Sequence, residues 1–225
     1  MAKKRTKRQQ KAQERKAAKR KAAQRKARQS RAPSAPKSNR GWLRSAADWP
    51  LHECLVAEEW REPGAIVQIL VSRRSPRGQI AAGVFLVDLG CLGVKNAFGR
   101  VFNTRGEYAA ELRNDMLARQ EMIHADLNLA AKIIREGIAY ARELGFSPNR
   151  DIRDAQLVLG DADPDACDEY IPLGREGKPF FVSGPYDNVD RIMDKLTRKL
   201  GPDGFHYMVG IGGPDEVILD EDSVR

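Results

Sequence analysis

The first 40 residues of this chain cannot contribute to a hydrophobic core. They hold 17 Lys or Arg and one acid, Glu14, and between Ala2 and Gly41 no apolar side chain is larger than Ala or Pro. Their Lys, Arg, Gln and Ala favour a helix, but there is no apolar stripe to hold that helix against a core. We therefore expect a basic arm and linker over residues 1–41.

Net charge separates this arm from the rest of the chain. The 225 residues sum to +8, with +16 in residues 1–40, so residues 41–225 carry −8. Residues 42–212 are long enough to bury one sizeable core. The last segment, residues 213–225, holds five acids against Arg225. We predict a single α+β domain over residues 42–212, followed by an acidic C-terminal segment over residues 213–225.

The composition of the arm predicts nucleic-acid binding. Lys and Arg displace condensed counterions from phosphates without reading sequence, so RNA, a ribosomal surface or DNA are the expected partners. The isolated arm should be disordered and fold on binding. A solubilising tail or a nuclear localisation signal would share this composition. The predicted phosphate contacts are Lys3, Lys4, Arg5, Lys7, Arg8, Lys11, Arg15, Lys16, Lys19, Arg20, Lys21, Arg25, Lys26 and Arg28.

Other classes of protein lack support in the sequence. Cys54, Cys91 and Cys167 lie far apart with no C-x-x-C spacing, so neither a disulfide framework nor a zinc site is indicated. No stretch approaches the roughly 20 apolar residues that span a bilayer, and the N-terminus has no apolar signal region. We expect a cytoplasmic protein without a membrane partner, metal or cofactor.

The body begins with a predicted β-hairpin. "AIVQILVSRR" and "QIAAGVFLVDL" read as strands, and "SPRG" between them places Pro76 and Gly78 where a type I turn favours them. The second strand is apolar on both faces, with Val84, Leu86 and Asp88 on one side. This pattern is typical of a strand at the centre of a sheet.

A helical segment and a β-α-β unit should follow. A capping box from Thr104 to Glu107 predicts a helix over about residues 106–122. A second helix should end at Gly145, with Gly137 in a close packing contact, and a short one should cover residues 151–159. "PFFVSG" and "FHYMVGI" flank the helical "DNVDRIMDKLTRKLG", which predicts two parallel strands.

One candidate reaction centre lies inside the most apolar stretch, "GVFLVDLGCLGVKNAFGR". Lys95 or a helix N-terminus could stabilise a Cys91 thiolate near Asp88 if a glycine loop exposed the thiol. In the structural interpretation Cys91 fills the core and Asp88 caps backbone amides. That interpretation is favoured because free cysteines are usually buried and no histidine lies nearby in sequence.

An acidic loop resembles the start of a calcium-binding loop. Asp161, Asp163 and Asp165 alternate as in an EF-hand, but Ala166 stands where glycine is needed and Pro172 where a bidentate Glu is needed. We predict a surface loop without a metal.

Two further charged motifs only weakly indicate a binding site. "VSGPYDN" precedes a helix, and Asp187 and Asp190 favour self-capping there over anion binding. Arg73, Arg74 and Arg77 at the hairpin end predict either a second basic patch or ordinary surface charge.

The body resembles a family of uncharacterised bacterial proteins. The pattern is carried by "VSRR", "FLVDLGCLGVK", "YARELGFSP" and "GKPFFVSGP", and it covers nearly all of the body and none of the arm. The resemblance implies a reproducible domain but no activity, cofactor or catalytic residue.

Three hypotheses for function follow. In the first, the arm docks a cytoplasmic accessory protein on RNA, a ribosome or DNA, while the body binds an unknown protein or small molecule. In the second, the body is an enzyme of unknown reaction, with its site near Asp88, Cys91 and Lys95. In the third, the chain is an interaction module whose arm is held by its own acidic segments.

Overall fold

The computed structural model of the chain describes residues 38–210 and 217–219. Residues 1–37 of the arm and linker, with all fourteen predicted phosphate contacts, lie outside these residues. The described part has the expected α+β fold, built on one large antiparallel sheet and one small mixed sheet. No helix in this part is long and apolar enough to cross a membrane.

The large sheet has five strands in the order β4-β3-β2-β1-β5, and every neighbouring pair is antiparallel. The predicted hairpin is confirmed as β2 and β3, and β3 lies inside the sheet as its two apolar faces indicated. The other three strands were not predicted. The strands are β1 Leu51–Ala57, β2 Ile66–Arg74, β3 Ile80–Asp88, β4 Gly93–Phe102 and β5 Met122–His124.

The hairpin turn closes as its sequence predicts. The Gly78 N–H donates to the Ser75 carbonyl oxygen at 3.0 Å, and Gly78 has φ +87°. The Ser75 hydroxyl oxygen also accepts from the backbone N–H groups of Arg77 and Gln79. Glycine is favoured at this positive φ because it lacks a Cβ.

Strand β4 begins two residues after Cys91, where the enzyme hypothesis needed a glycine loop that exposes the thiol. Gly93 starts it at φ +67°, and a Cβ there would lie 2.7 Å from the Gly137 carbonyl oxygen. Lys95, Asn96 and Gly99 break the apolar alternation that marks a strand, but β4 is at the edge of the sheet, where polar residues reach solvent.

Helices cover both faces of the large sheet. The helix predicted over residues 106–122 is present as α2, a π-helical segment Ala109–Arg113 and α3, and the one predicted over 151–159 as α5 and a 3₁₀ turn Gln156–Leu159. As in the predicted capping box, the Thr104 hydroxyl accepts from the Glu107 N–H, while the Glu107 carboxylate accepts from the Asn103 N–H, one residue before Thr104. The α-helices are α1 Asn39–Ala46, α2 Arg105–Tyr108, α3 Asn114–Arg119, α4 Leu127–Glu143, α5 Ile152–Ala155 and α6 Val189–Leu200.

Helix α1 begins within the segment that the sequence assigned to the linker. Ser38 caps it by accepting from the Gly41 N–H at 3.1 Å. The Asn39 side chain bonds two backbone groups of β4, the Gly99 carbonyl at 2.7 Å and the Val101 N–H at 3.2 Å. The folded part therefore includes Ser38, because contacts with β4 stabilise a helix at the end of the predicted linker.

The small sheet contains the predicted β-α-β unit. Strands β6 Phe180–Val182 and β7 His206–Gly210 are parallel and flank α6. A third strand, β8 Val217–Leu219, pairs antiparallel with β7 and belongs to the acidic segment 213–225. The Phe180 N–H donates to the Gly90 carbonyl oxygen at 2.9 Å, which ties β6 to the end of β3.

Three apolar clusters fill the spaces between these layers. Side chains at alternate positions of β3 separate as expected, with Phe85 and Val87 in the cluster under α4 and Ile80 and Ala82 in the cluster under α2. The third cluster lies between α6 and the small sheet. Gly137 makes its predicted close contact, since a Cβ there would lie 2.7 Å from Val87 Cγ1.

Candidate functional site

Cys91 lies in the apolar core. Its exposed fraction is 0%, and it packs in the third apolar cluster with Leu92, Phe181 and Leu196. Burial, followed by the nearby Asp88 carboxylate, raises the pKa of the Cys91 thiol. Nucleophilic catalysis needs the opposite, an accessible thiol with a lowered pKa. These features match the structural interpretation of the residue.

Asp88 caps the turn that follows β3. Its Oδ1 accepts from the Cys91 N–H at 2.9 Å. Burial raises the pKa of Asp88 to about 6, against the opposing effects of backbone hydrogen bonds and of Lys95. In the described part of the chain, Oδ2 is buried without a hydrogen-bond partner.

Lys95 lies on β4, and its side chain pairs with the connection between β6 and α6. Its ammonium lies 2.5 Å from Asp187 Oδ2, and both side chains are mostly buried. The same carboxylate accepts from the Gly184 N–H at 2.7 Å, while Asn188 caps α6 through the Arg191 N–H. Asp187 thus accepts from a backbone amide of its own loop, as the predicted self-capping requires, whereas Asn188 and not Asp190 caps the helix. The three residues of the candidate centre are close in space but engaged in turn, core and loop contacts.

The sequence left a second basic patch or ordinary surface charge open for the hairpin end, and both alternatives are wrong for Arg73. Only 4% of Arg73 is exposed, and its guanidinium donates to the carbonyl oxygens of Trp49, Val158 and Leu159 at 2.6–2.9 Å. It also pairs with Asp161 at 2.6 Å. With its donors used on backbone carbonyls, this guanidinium is unavailable for phosphate.

The three alternating aspartates of the acidic loop are engaged in contacts within the fold. Asp161 pairs with Arg73, Asp163 caps a 3₁₀ turn, and Asp165 pairs with Arg135 at 2.7 Å. Across the described residues, no group of three His, Cys, Asp or Glu side chains is placed to hold a metal ion.

A cavity of about 320 Å³, with mostly charged and polar residues around it, lies on the α2 side of the large sheet, between β1, β5 and the π-helical segment. We call it the cationic pocket. Two strands that the sequence did not predict supply its histidines. It is lined by His52, Glu53, Arg105, Tyr108, Ala109, Arg113 and His124.

Glu53 organises one wall of the cationic pocket. Its carboxylate is 8% exposed and accepts from the Tyr108 hydroxyl at 2.5 Å and from Arg113 Nε at 2.9 and 3.0 Å. Both carboxylate oxygens are therefore satisfied from within the fold. This ion pair balances the Glu53 charge with that of Arg113.

The remaining charged groups of the pocket are cationic. Arg105 is exposed and forms no ion pair with any residue of the described part. The pKa of His52 is lowered by burial, and the charges of Arg105, Arg74 and Arg113 lower it further, against the opposing effect of Glu53. The charges of three arginines and the opposite charge of Glu53 therefore all act at His52.

Two irregularities of the backbone meet at this pocket. The register of β1 against β2 shifts between Leu51 and Glu53, a β-bulge centred on His52. Opposite it lies the π-helical segment Ala109–Arg113. Both kinds of irregularity occur preferentially next to functional sites.

The sequence offered little signal for this pocket. His52 and His124 are 72 positions apart and meet only because β5, three residues long, pairs with β1 through Leu55 and His124. A strand that short has no readable period. The alternation of "LHECLVA" could have indicated β1.

No family model, curated protein or solved structure matches the chain. The resemblance to the uncharacterised bacterial family therefore stays a prediction.

Proposed function

We propose that this protein associates with RNA, a ribosome or DNA through its basic arm, and that the folded body binds a further partner. The segregation of charge along the chain carries this proposal. Residues 1–36 hold 15 Lys or Arg and one acid, so residues 37–225 carry a net charge of −6. A basic segment without large apolar groups has affinity for polyphosphates and none for a protein core.

The charge of the folded body also supports the assignment of nucleic-acid binding to the arm. Its net negative charge repels nucleic-acid phosphates at long range. Arg73, which could have extended a basic surface, is buried and donates hydrogen bonds to backbone carbonyl groups. Affinity for nucleic acid is therefore assigned to the arm.

The test compares the full chain with a chain that begins at Lys37. That start keeps the Ser38 cap and the Asn39 contacts with β4, whereas a start at Gly41 would remove both. We expect the shortened chain to unfold at the temperature of the full chain and to lose nearly all binding to labelled single-stranded RNA and duplex DNA by fluorescence anisotropy.

A matched control keeps the length of the arm. Replacing its 14 predicted contact residues by Gln should remove binding as the deletion does, while a scrambled arm of the same composition should retain it, since flexible point charges carry no base-edge readout. Binding by the Lys37-start chain at full-length affinity would refute the proposal. Crosslinking in cells, with sequencing of the bound nucleic acid, and sucrose-gradient sedimentation would separate RNA, DNA and ribosome.

A further inference from the structure

We infer that the cationic pocket of the body binds the phosphate group of a small ligand, with Arg105, Arg113, His52 and His124 as its donors. All of these residues belong to the body, and the inference goes beyond the function proposed for the basic arm. The inference rests on convergent cationic groups, on the two backbone irregularities that place them, and on the size of the cavity.

The donors reach the pocket from different sides. His52 comes from the bulge of β1, His124 from β5, and Arg105 from the start of α2. Arg113 comes from the end of the π-helical segment. A tetrahedral phosphate has several acceptor oxygens that point in different directions, so it can engage donors arranged in this way.

The π-helical segment is what directs Arg113 to the pocket. Tyr108 and Arg113 are five residues apart, and in a regular α-helix they would point about 140° away from each other. Here both side chains bond the same Glu53 carboxylate. The wider π turn brings them to one face, and Arg113, whose Nε bonds Glu53, lines the cavity.

Charge favours an anion in this pocket. Glu53 is its only carboxylate and is already paired with Arg113, which leaves Arg105 unpaired among the described residues. Arg74 on β2 adds positive potential at His52. An anion would relieve the repulsion among these cations and would raise the lowered pKa of His52.

The size of the cavity limits the ligand. A volume of about 320 Å³ lies at the lower end of the range for small-molecule pockets. It suits inorganic phosphate or a small phosphate ester.

The experiment follows the imidazole resonances of the full-length chain by NMR. The chain has three histidines, so His52 and His124 can be observed individually while His206, in the small sheet, serves as an internal control. Phosphate that binds to the basic arm adds no histidine signal, because the arm contains no histidine. The probes are inorganic phosphate and ribose 5-phosphate, with ribose and acetate as controls.

We expect both phosphate probes to shift the resonances of His52 and His124 saturably and to raise the pKa of His52, while His206 is unchanged. Tighter binding of ribose 5-phosphate than of inorganic phosphate would identify an ester as the ligand, and equal binding would identify phosphate itself. Arg105→Gln should weaken binding at least fivefold. Arg153→Gln, which removes an exposed arginine charge elsewhere on the body, should leave binding unchanged.

Three results would overturn the inference. One is the absence of any saturable shift with either phosphate probe. Another is an equal response to acetate, which would show that the pocket does not select phosphate. The last is equal weakening by Arg105→Gln and Arg153→Gln, which would reduce the effect to long-range charge.

Discussion

Burial decides the chemistry of Asp88 and Cys91 at the end of β3. Both are almost fully enclosed, and in both the neutral form is favoured because a charge there loses its hydration. Lys95, which could have lowered the pKa of the thiol, is held in an ion pair with Asp187. A stretch that suggests a reaction centre is therefore a buried turn.

A core role for Cys91 predicts how it reacts and how it tolerates replacement. A thiol reagent should label the half-buried Cys167 first in the native protein and Cys91 only as the protein unfolds. Cys91→Ser should lower the free energy of unfolding by about 1–3 kcal/mol because its hydroxyl is buried, and Cys91→Ala should cost less. Native Cys91 that is labelled faster than an unfolded peptide would restore the thiol as a catalytic candidate.

Asp88 should make stability fall as the pH rises. Its folded-state pKa of about 6 lies above its ordinary value of 3.8, so the folded protein binds this proton more tightly than the unfolded chain does. The contribution is present below about pH 4 and is lost as the pH rises through 6. Its full size is about 3 kcal/mol.

Urea unfolding of wild type and Asp88→Asn at pH 4 and pH 7 measures this effect. The variant keeps an oxygen to accept from the Cys91 N–H but cannot ionise, so its loss of stability between the two pH values should be smaller than that of wild type. Identical pH dependence of the two proteins would contradict the raised pKa.

At the scale of elements, Arg73 connects three segments of the body. Its guanidinium joins β2 to the 3₁₀ turn Gln156–Leu159 and to the loop at Trp49. Carbonyl groups at the end of such a turn lack helical partners, and a buried guanidinium satisfies several of them together.

Arg73→Lys should therefore lower the free energy of unfolding by about 2–4 kcal/mol, because one ammonium cannot reach all of these acceptors. The matched control is Arg74→Lys, the exposed neighbour on the same strand, which should change stability by less than about 0.5 kcal/mol. Equal effects of the two substitutions in urea unfolding would contradict this assignment.

Elements with strong local signals could be predicted from sequence. The hairpin of β2 and β3 has a turn motif between apolar runs, and α4 and the β-α-β unit have clear periodicity. In contrast, β5 is too short to show a period, and β4 carries polar residues and glycines whose packing against α4 and α5 appears only in the fold. The cationic pocket was missed because β5 and the π-helical segment both help to form it.

At the scale of the molecule, the acidic segment 213–225 includes a strand of the small sheet. Strand β8 pairs with β7, so deletion of the segment would remove a strand as well as five carboxylates. Replacement of the acids by Asn or Gln separates the two effects. The positions are Asp215, Glu216, Asp220, Glu221 and Asp222.

If acidic segments hold the arm, this neutralised variant should bind nucleic acid more tightly than wild type at low salt, because fewer carboxylates compete with phosphates. The difference should shrink towards physiological ionic strength, where the Debye length is about 8 Å. Equal affinity of the two proteins at low salt would remove the hypothesis that this segment holds the arm.

The salt dependence of nucleic-acid binding by the full-length chain tests the role of the arm most directly. If about 8 of its basic residues contact phosphates, the logarithm of the affinity should fall against the logarithm of the salt concentration with a slope of about −6 for single strands and −7 for duplex. The Lys37-start chain should show neither this slope nor comparable affinity. A full-length slope near zero, or the same slope and affinity in both chains, would contradict the assignment of nucleic-acid binding to the arm.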